Sequence, residues 1–324
     1  MNPKGEPPLF GGLMTALVTP YRGEAIDFDA LAELANWQID QGVQGLVACG
    51  TTGEAPTLSH PEWAAVIRLC VEVSNGRVPV IAGSGTNDTR RTVELTREAG
   101  RLGADGALVV TPYYSRPSQE GLFRHFESVA QSAELPIIIY NVPSRTAVDI
   151  RIETLDRLAY LPGIVGIKDA SGDPTRVSTM AVRFGDRFTQ LSGHDRSMLA
   201  FMMTGGDGAI SVVSNIAPML AAATFGAVRR GDYLEARRIN AHLYPLFDAL
   251  ELETNPCPVK FALHCARGYS PAVRLPLVEV SESTAERVRA AMADIDALAI
   301  DTSLTADRSL IPSRPEQASP IRTA

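Results

Sequence analysis

Lysine is nearly missing from this 324-residue chain: of 30 basic residues 27 are arginine, leaving only Lys4, Lys168 and Lys260. Cysteine is scarce too. Cys49, Cys70, Cys257 and Cys265 form no Cys-x-x-Cys pair and lack the density of a secreted disulfide scaffold, so buried, reduced thiols in a cytoplasmic protein are expected. No stretch approaches the roughly eighteen consecutive apolar residues of a membrane span, so no membrane partner is expected. The apolar run from Leu9 to Val18 behind Lys4 loosely mimics a signal peptide. Prolines 7, 8 and 20 and the want of a small-residue cleavage site favour a first core strand instead. Positive charge is not in surplus: 30 − 37 = −7 argues against nucleic acid as the main partner. The five histidines gather into no His-x-His or His/Asp/Glu set with metal-ligand spacing, so no metal is expected.

What is present is a globular composition, 45% hydrophobic, with short β-rich runs alternating with longer amphipathic segments. The strand candidates are Leu13–Thr19, Gly45–Cys49, Pro79–Gly83, Ala107–Thr111, Ile137–Asn141, Val165–Asp169, Thr189–Gly193 and Ala209–Val213. Helical periodicity lies between them, as in Phe28–Gln41, Pro61–Asn75, Thr89–Leu102 and Gln119–Ser132. Glycines at helix-to-strand junctions, as in Gln41-Gly-Val-Gln-Gly45, supply the stops. Eight such units predict an α/β fold, a closed (β/α)8 TIM barrel. A doubly wound sheet is the alternative. It would carry a glycine-rich phosphate turn after the first strand, where Thr19-Pro-Tyr-Arg-Gly stands instead. The expected organisation is a catalytic barrel over residues 1–228, a C-terminal helical appendage over 229–300, and a flexible tail over 301–324, where Ser, Thr, Pro and Arg replace the periodic pattern.

Barrels aim chemistry from the C-terminal ends of their strands. Those ends carry Gly50-Thr-Thr-Gly-Glu54, Thr111-Pro-Tyr-Tyr114, Tyr140-Asn-Val-Pro-Ser-Arg-Thr146 and Gly166-Ile-Lys-Asp169. Lys168 is the sharpest signal. A lysine in an apolar run either reaches the rim with its ammonium or works as a neutral amine, a nucleophile for carbonyls that forms a Schiff base. The competing reading is a structural lysine paired with Asp169. Schiff-base formation moves protons, for which Tyr140, Thr51 and Tyr114 offer hydroxyls that both donate and accept. Gly50, Thr51 and Thr52 form a small-residue turn whose N–H groups suit a carboxylate, and Arg145 suits a second. In so arginine-rich a chain, Arg145 is alternatively a surface residue.

These motifs, with Asn255-Pro-Cys-Pro-Val-Lys260 and Arg274-Leu-Pro-Leu277, resemble the dihydrodipicolinate synthase and N-acetylneuraminate lyase superfamily of Schiff-base aldolases, from about Leu9 to Leu298. The Tyr-Tyr doublet and Pro-Ser-Arg-Thr segment are similar to the dihydrodipicolinate synthase branch. The resemblance implies a pyruvate imine on Lys168 and a relay of Tyr140, Thr51 and Tyr114, with one tyrosine of the doublet entering from a neighbouring subunit. It implies that Thr51 and Thr52 hold the pyruvate carboxylate, Arg145 that of aspartate 4-semialdehyde, and Ile210 a backbone carbonyl near the reacting centre. No cofactor beyond the covalent imine is implied; the resemblance implies at least a dimer, and a homotetramer, a dimer of dimers, is expected. Alternatives are an aldolase using another aldehyde, such as one giving a 2-keto-3-deoxy sugar acid, or a non-catalytic pyruvate-binding paralogue.

Two departures stand out. Lysine-inhibited members carry effector contacts that His60, Asn87 and Tyr113 match here, but Arg91 replaces a glutamate and Trp63 a histidine. Feedback inhibition by lysine is therefore expected to be weak or absent. Ser192-Gly-His-Asp195 also differs from the Gly-Asp-Asp frequent in the family.

Overall fold

The computed structural model describes residues 10–299; Lys4 and the segment 301–324 lie outside them. Eight parallel strands close into a barrel: β1 (Gly12–Ala16), β2 (Gly45–Ala48), β3 (Val80–Gly83), β4 (Gly106–Val110), β5 (Ile137–Asn141), β6 (Ile164–Asp169), β7 (Thr189–Ser192) and β8 (Gly208–Ser211). Each pairs with the next, and β8 closes on β1 with Met14 opposite Ile210. The strands are buried almost throughout because side chains of one pleat fill the barrel while those of the other meet the helices. Met14, Val47, Ile81, Leu108, Ile138, Leu191 and Ile210 form one inner cluster.

The helices of the barrel are α1 (Phe28–Asp40), α2 (His60–Ser74), α3 (Thr89–Arg101), α4 (Gln119–Ser132), α5 (Ile152–Leu158), α6 (Thr175–Phe184), α7 (Met198–Met203) and α8 (Pro218–Arg229). Short polar residues start them: Asp27 accepts from the Ala30 N–H, Asp88 from Arg90 and Ser118 from Gly121. Ser59 and Glu62 close a capping box on α2. Gly42 and Gly103, both at φ +90°, end α1 and α3 in the left-handed turn the sequence foretells.

Two strands end more than one residue earlier than periodicity predicts. β1 stops at Ala16 because Asn215 takes over its ladder, donating to the Ala16 carbonyl (2.8 Å) and accepting from the Val18 N–H (3.3 Å). β8 stops at Ser211 because the Asp195 carboxylate accepts from both Val212 and Val213 N–H groups, curling the chain into the 3-10 turn Val213–Asn215.

Three helices follow: α9 (Tyr233–Leu250), α10 (Cys257–Arg267) and α11 (Glu282–Ala299). Leu243 and Leu246 of α9, Val259 of α10 and Val288 of α11 share one apolar cluster with Leu31, Ile67 and Leu220 of the barrel helices. The appendage is thus packed as part of the barrel's own outer core. Among the described residues no helix is long and apolar enough to cross a membrane.

Candidate active site

Lys168 lies near the C-terminal end of β6, 5% exposed, opposite Tyr140 on β5. Its Nζ stands 4.3 Å from the centre of the Tyr140 ring. Asp169 does not pair with it. That carboxylate accepts from Arg176 Nε (2.7 Å) and from the Ser171 N–H (2.8 Å), so the neighbour in sequence points the other way across the pleat. No carboxylate among the described residues forms an ion pair with Lys168. The Asp195 carboxyl feels the charge of Lys168, but burial outweighs it and pushes that carboxyl above its ordinary range. The lysine stem runs against Gly193, where an added Cβ would come 2.9 Å from Lys168 Cε and 3.0 Å from Cγ. A buried amine with no counter-ion and a side-chain-free neighbour is therefore offered to the barrel mouth.

Beyond β2 the chain makes the turn Gly50–Glu54. Two of its N–H groups are used internally, Gly53 donating to the Gly50 carbonyl and Glu54 to that of Thr51, and the N–H of the next residue, Ala55, also donates to Gly50. Among the described residues the N–H groups of Gly50, Thr51 and Thr52 have no protein partner and remain as donors for an anion. Cys49 and Glu54 bracket the turn in the left-handed region, at φ +54° and +55°, a conformation that needs outside support. Gly83 allows the turn's approach, since a Cβ there would collide with the Cys49 carbonyl.

The support comes from the appendage. Lys260 Nζ donates to Glu54 Oε1 (2.7 Å) and to the Thr19 carbonyl (2.9 Å), and lies 4.0 Å from the centre of the Tyr21 ring. The Arg274 N–H donates to Glu54 Oε2 (3.0 Å), while its guanidinium grips Glu62 with two bonds of 2.6 and 3.0 Å. That contact holds Glu62 down to about 2. Sequence reasoning left Lys260 without a role; its partner lies 206 residues away, beyond any local pattern.

The remaining expected residues divide. Ile210 is buried on β8 in the same inner cluster as Tyr140. Arg145 sits on the single helical turn Pro143–Thr146 after β5, exposed, donating to the Asn255 carbonyl at 3.4 Å. Asn255 also reaches Thr52, its Nδ2 donating to the hydroxyl at 3.0 Å. Tyr114 does not join the mouth of its own chain. At φ +70° its side chain is 91% exposed, against 36% for Tyr113. Of the effector-type positions, His60 is engaged by Glu98 (2.7 Å) and stacks on Trp63, whose indole N–H donates to the Gly83 carbonyl; Arg91 pairs with Glu94.

The Dihydrodipicolinate synthetase family matches residues 9–295. The 4-hydroxy-tetrahydrodipicolinate synthase of Parvibaculum lavamentivorans is 48% identical over 88% of this chain and 98% of its own length. The enzyme of that name from Methylacidiphilum fumariolicum superposes with a TM-score of 0.89 at 41% identity, covering 91% of this chain and 99% of that one. A chloride-inhibited dihydrodipicolinate synthase from Acinetobacter baumannii, solved with pyruvate, gives 0.87 at 43% identity over 88% and 99%. The chain belongs to the dihydrodipicolinate synthetase family.

Proposed function

We propose that this chain is a lyase that condenses pyruvate, as a Schiff base on Lys168, with L-aspartate 4-semialdehyde, giving 4-hydroxy-tetrahydrodipicolinate in lysine and diaminopimelate biosynthesis. One observation carries the reading: a buried amine without a carboxylate partner, at the mouth of a barrel whose relatives bear that activity in their names. The Lys168 amine adds to the ketone carbon of pyruvate, water leaves, and the iminium withdraws electrons so that a methyl proton departs. The resulting enamine carbon attacks the aldehyde. The amino group of the second substrate then displaces Lys168 from the imine carbon and closes the ring.

Protons move through Tyr140, Thr51 and Tyr114. The pyruvate carboxylate is held by the free N–H groups of Thr51 and Thr52 and by their hydroxyls, at the turn opened by Gly50. Arg145 holds the carboxylate of the semialdehyde, and the Ile210 carbonyl faces the reacting centre. The iminium is itself the electron sink, so no metal or other cofactor is required. Tyr114 serves a neighbouring copy, which makes the protein a homotetramer built as a dimer of dimers, and its place is the cytoplasm.

The test is to reduce the protein with borohydride in the presence of pyruvate and map the adduct by mass spectrometry. A pyruvate-derived adduct at Lys168 is expected, and an unmodified Lys168 refutes the mechanism. Kinetics with aspartate semialdehyde against sugar-derived aldehydes then fix the second substrate.

A further inference from the structure

We infer that Asn255 is a positioning residue for the pyruvate subsite, acting through Thr52; the inference rests on the function proposed above. Asn255 comes from the segment between α9 and α10, outside the barrel, yet it touches one residue of each proposed carboxylate subsite, Thr52 and Arg145. It does so with different groups. Its side-chain Nδ2 donates to Thr52 Oγ1 at 3.0 Å, and its main-chain carbonyl accepts from Arg145 at 3.4 Å.

The first contact decides where the Thr52 proton goes. A hydroxyl donates once and accepts twice. Thr52 is 2% exposed and makes no other side-chain hydrogen bond, so the amide sets its rotor. Accepting from Asn255 forces the Thr52 O–H to point elsewhere and keeps it available as a donor beside the free Thr51 and Thr52 N–H groups. The Asn255 Oδ1 is buried without a hydrogen-bond partner. Turning the amide over would let that oxygen accept the Thr52 proton, but it would move the Nδ2 hydrogens to the buried position without a partner and remove the anion's donor.

The division between side chain and main chain makes the role separable. In the full-length protein, the fraction of Lys168 trapped by borohydride is titrated against pyruvate, and KM for the semialdehyde is measured alongside. Asn255→Ala should raise the pyruvate half-saturation about fivefold, the factor carried by one hydrogen bond of ordinary strength. The semialdehyde KM should stay within about twofold, because the carbonyl facing Arg145 survives. Asn255→Asp is nearly isosteric but can only accept when ionised, so it draws the Thr52 proton away and should weaken pyruvate binding more than alanine does. In a Thr52→Val background, Asn255→Ala should add nothing further to the pyruvate half-saturation.

Unchanged pyruvate titration in Asn255→Ala, or an Asn255→Asp variant that binds pyruvate as the parent does, overturns the inference. So does an equal rise in both constants with a lowered melting temperature, the pattern of general loosening. If Asn255→Ala fails to fold, the aspartate variant decides. If the parent protein itself traps no pyruvate, the functional reading falls and this inference with it; if the parent traps and Asn255→Ala titrates identically, the inference alone falls.

Discussion

Glu54 and Lys260 meet at 2.7 Å with both side chains buried, across 206 residues of sequence. Burial pulls the Lys260 ammonium below its ordinary value and Glu54 opposes that pull. Removing one partner strands the other charge in a dry site, whereas removing both does not. Lys260→Met should therefore cost about 3–5 kcal/mol in urea unfolding. The double variant Glu54→Gln/Lys260→Met should lose less than Lys260→Met alone. A double variant as unstable as the single one would show that the pair contributes by packing.

Gly193 leaves room for the reactive amine. Its alanine variant places a methyl carbon 2.9 Å from Lys168 Cε, and the stem must move. Misplacing a reacting group by about 1 Å costs on the order of a hundredfold. Gly193→Ala should keep its fold by circular dichroism while turnover and borohydride trapping at Lys168 fall by tenfold or more. Parental trapping rates would sink the claim.

Tyr114 stands 91% exposed on its own chain. If it completes the site of a neighbouring copy, two dead variants complement each other. Tyr114→Phe and Lys168→Arg chains, each nearly inactive alone, should regain activity when co-expressed. A mixed assembly pairs an intact Lys168 in one chain with an intact Tyr114 from another. Mixed assemblies that stay inactive would place the tyrosine's role within one chain or outside catalysis.

His125 on α4 is buried, with Nδ1 2.9 Å from the Thr89 hydroxyl. Burial pushes it down to about 4 from an ordinary 6.5, with Asp88 opposing. As pH falls below 6.5 the unfolded chain takes up a proton that the folded chain refuses until near 4. Stability should decline across that window, by about 3 kcal/mol at its acid end. In His125→Asn the denaturant midpoint should depend less steeply on pH between these limits, while an unaltered slope would assign the acid sensitivity to other groups.

Feedback by lysine should be weak. Arg91 pairs with Glu94 and Trp63 stacks with His60; the family resemblance implies that Arg91 stands where a cationic effector would need an anion and Trp63 where lysine-inhibited members have a histidine. Activity in millimolar lysine should match that without it; strong inhibition would refute this.

The barrel was legible because strand and helix periods differ and because glycines mark the junctions. Lys168 was legible because so arginine-rich a chain keeps lysine rarely, and a guanidinium is not available as a neutral nucleophile. What local pattern did not convey were contacts made across the chain. Asp169 lies beside Lys168 in sequence yet faces Arg176, since adjacent strand residues point to opposite sides. Periodicity extended β1 to Thr19, but the side chain that ends it, Asn215, arrives from beyond β8. The turn Gly50–Glu54 read as a run of anion donors; the fold spends those of Gly53 and Glu54 on itself and leaves those of Gly50, Thr51 and Thr52. Asn255 and Lys260 were visible as a motif, but their work lies with Thr52 and Glu54, which only the closed barrel brings near.

The clamp on that turn has a consequence for how the protein is made. Ribosomes emit the turn early and its fasteners, Lys260 and Arg274, only after the barrel strands are already out. A chain released after α8 would hold every strand of the barrel and Lys168 itself, but not the residues that grip the Glu54 carboxylate at the end of the turn. If the turn holds a substrate carboxylate as proposed, competence to bind it is expected only once synthesis has passed Arg274.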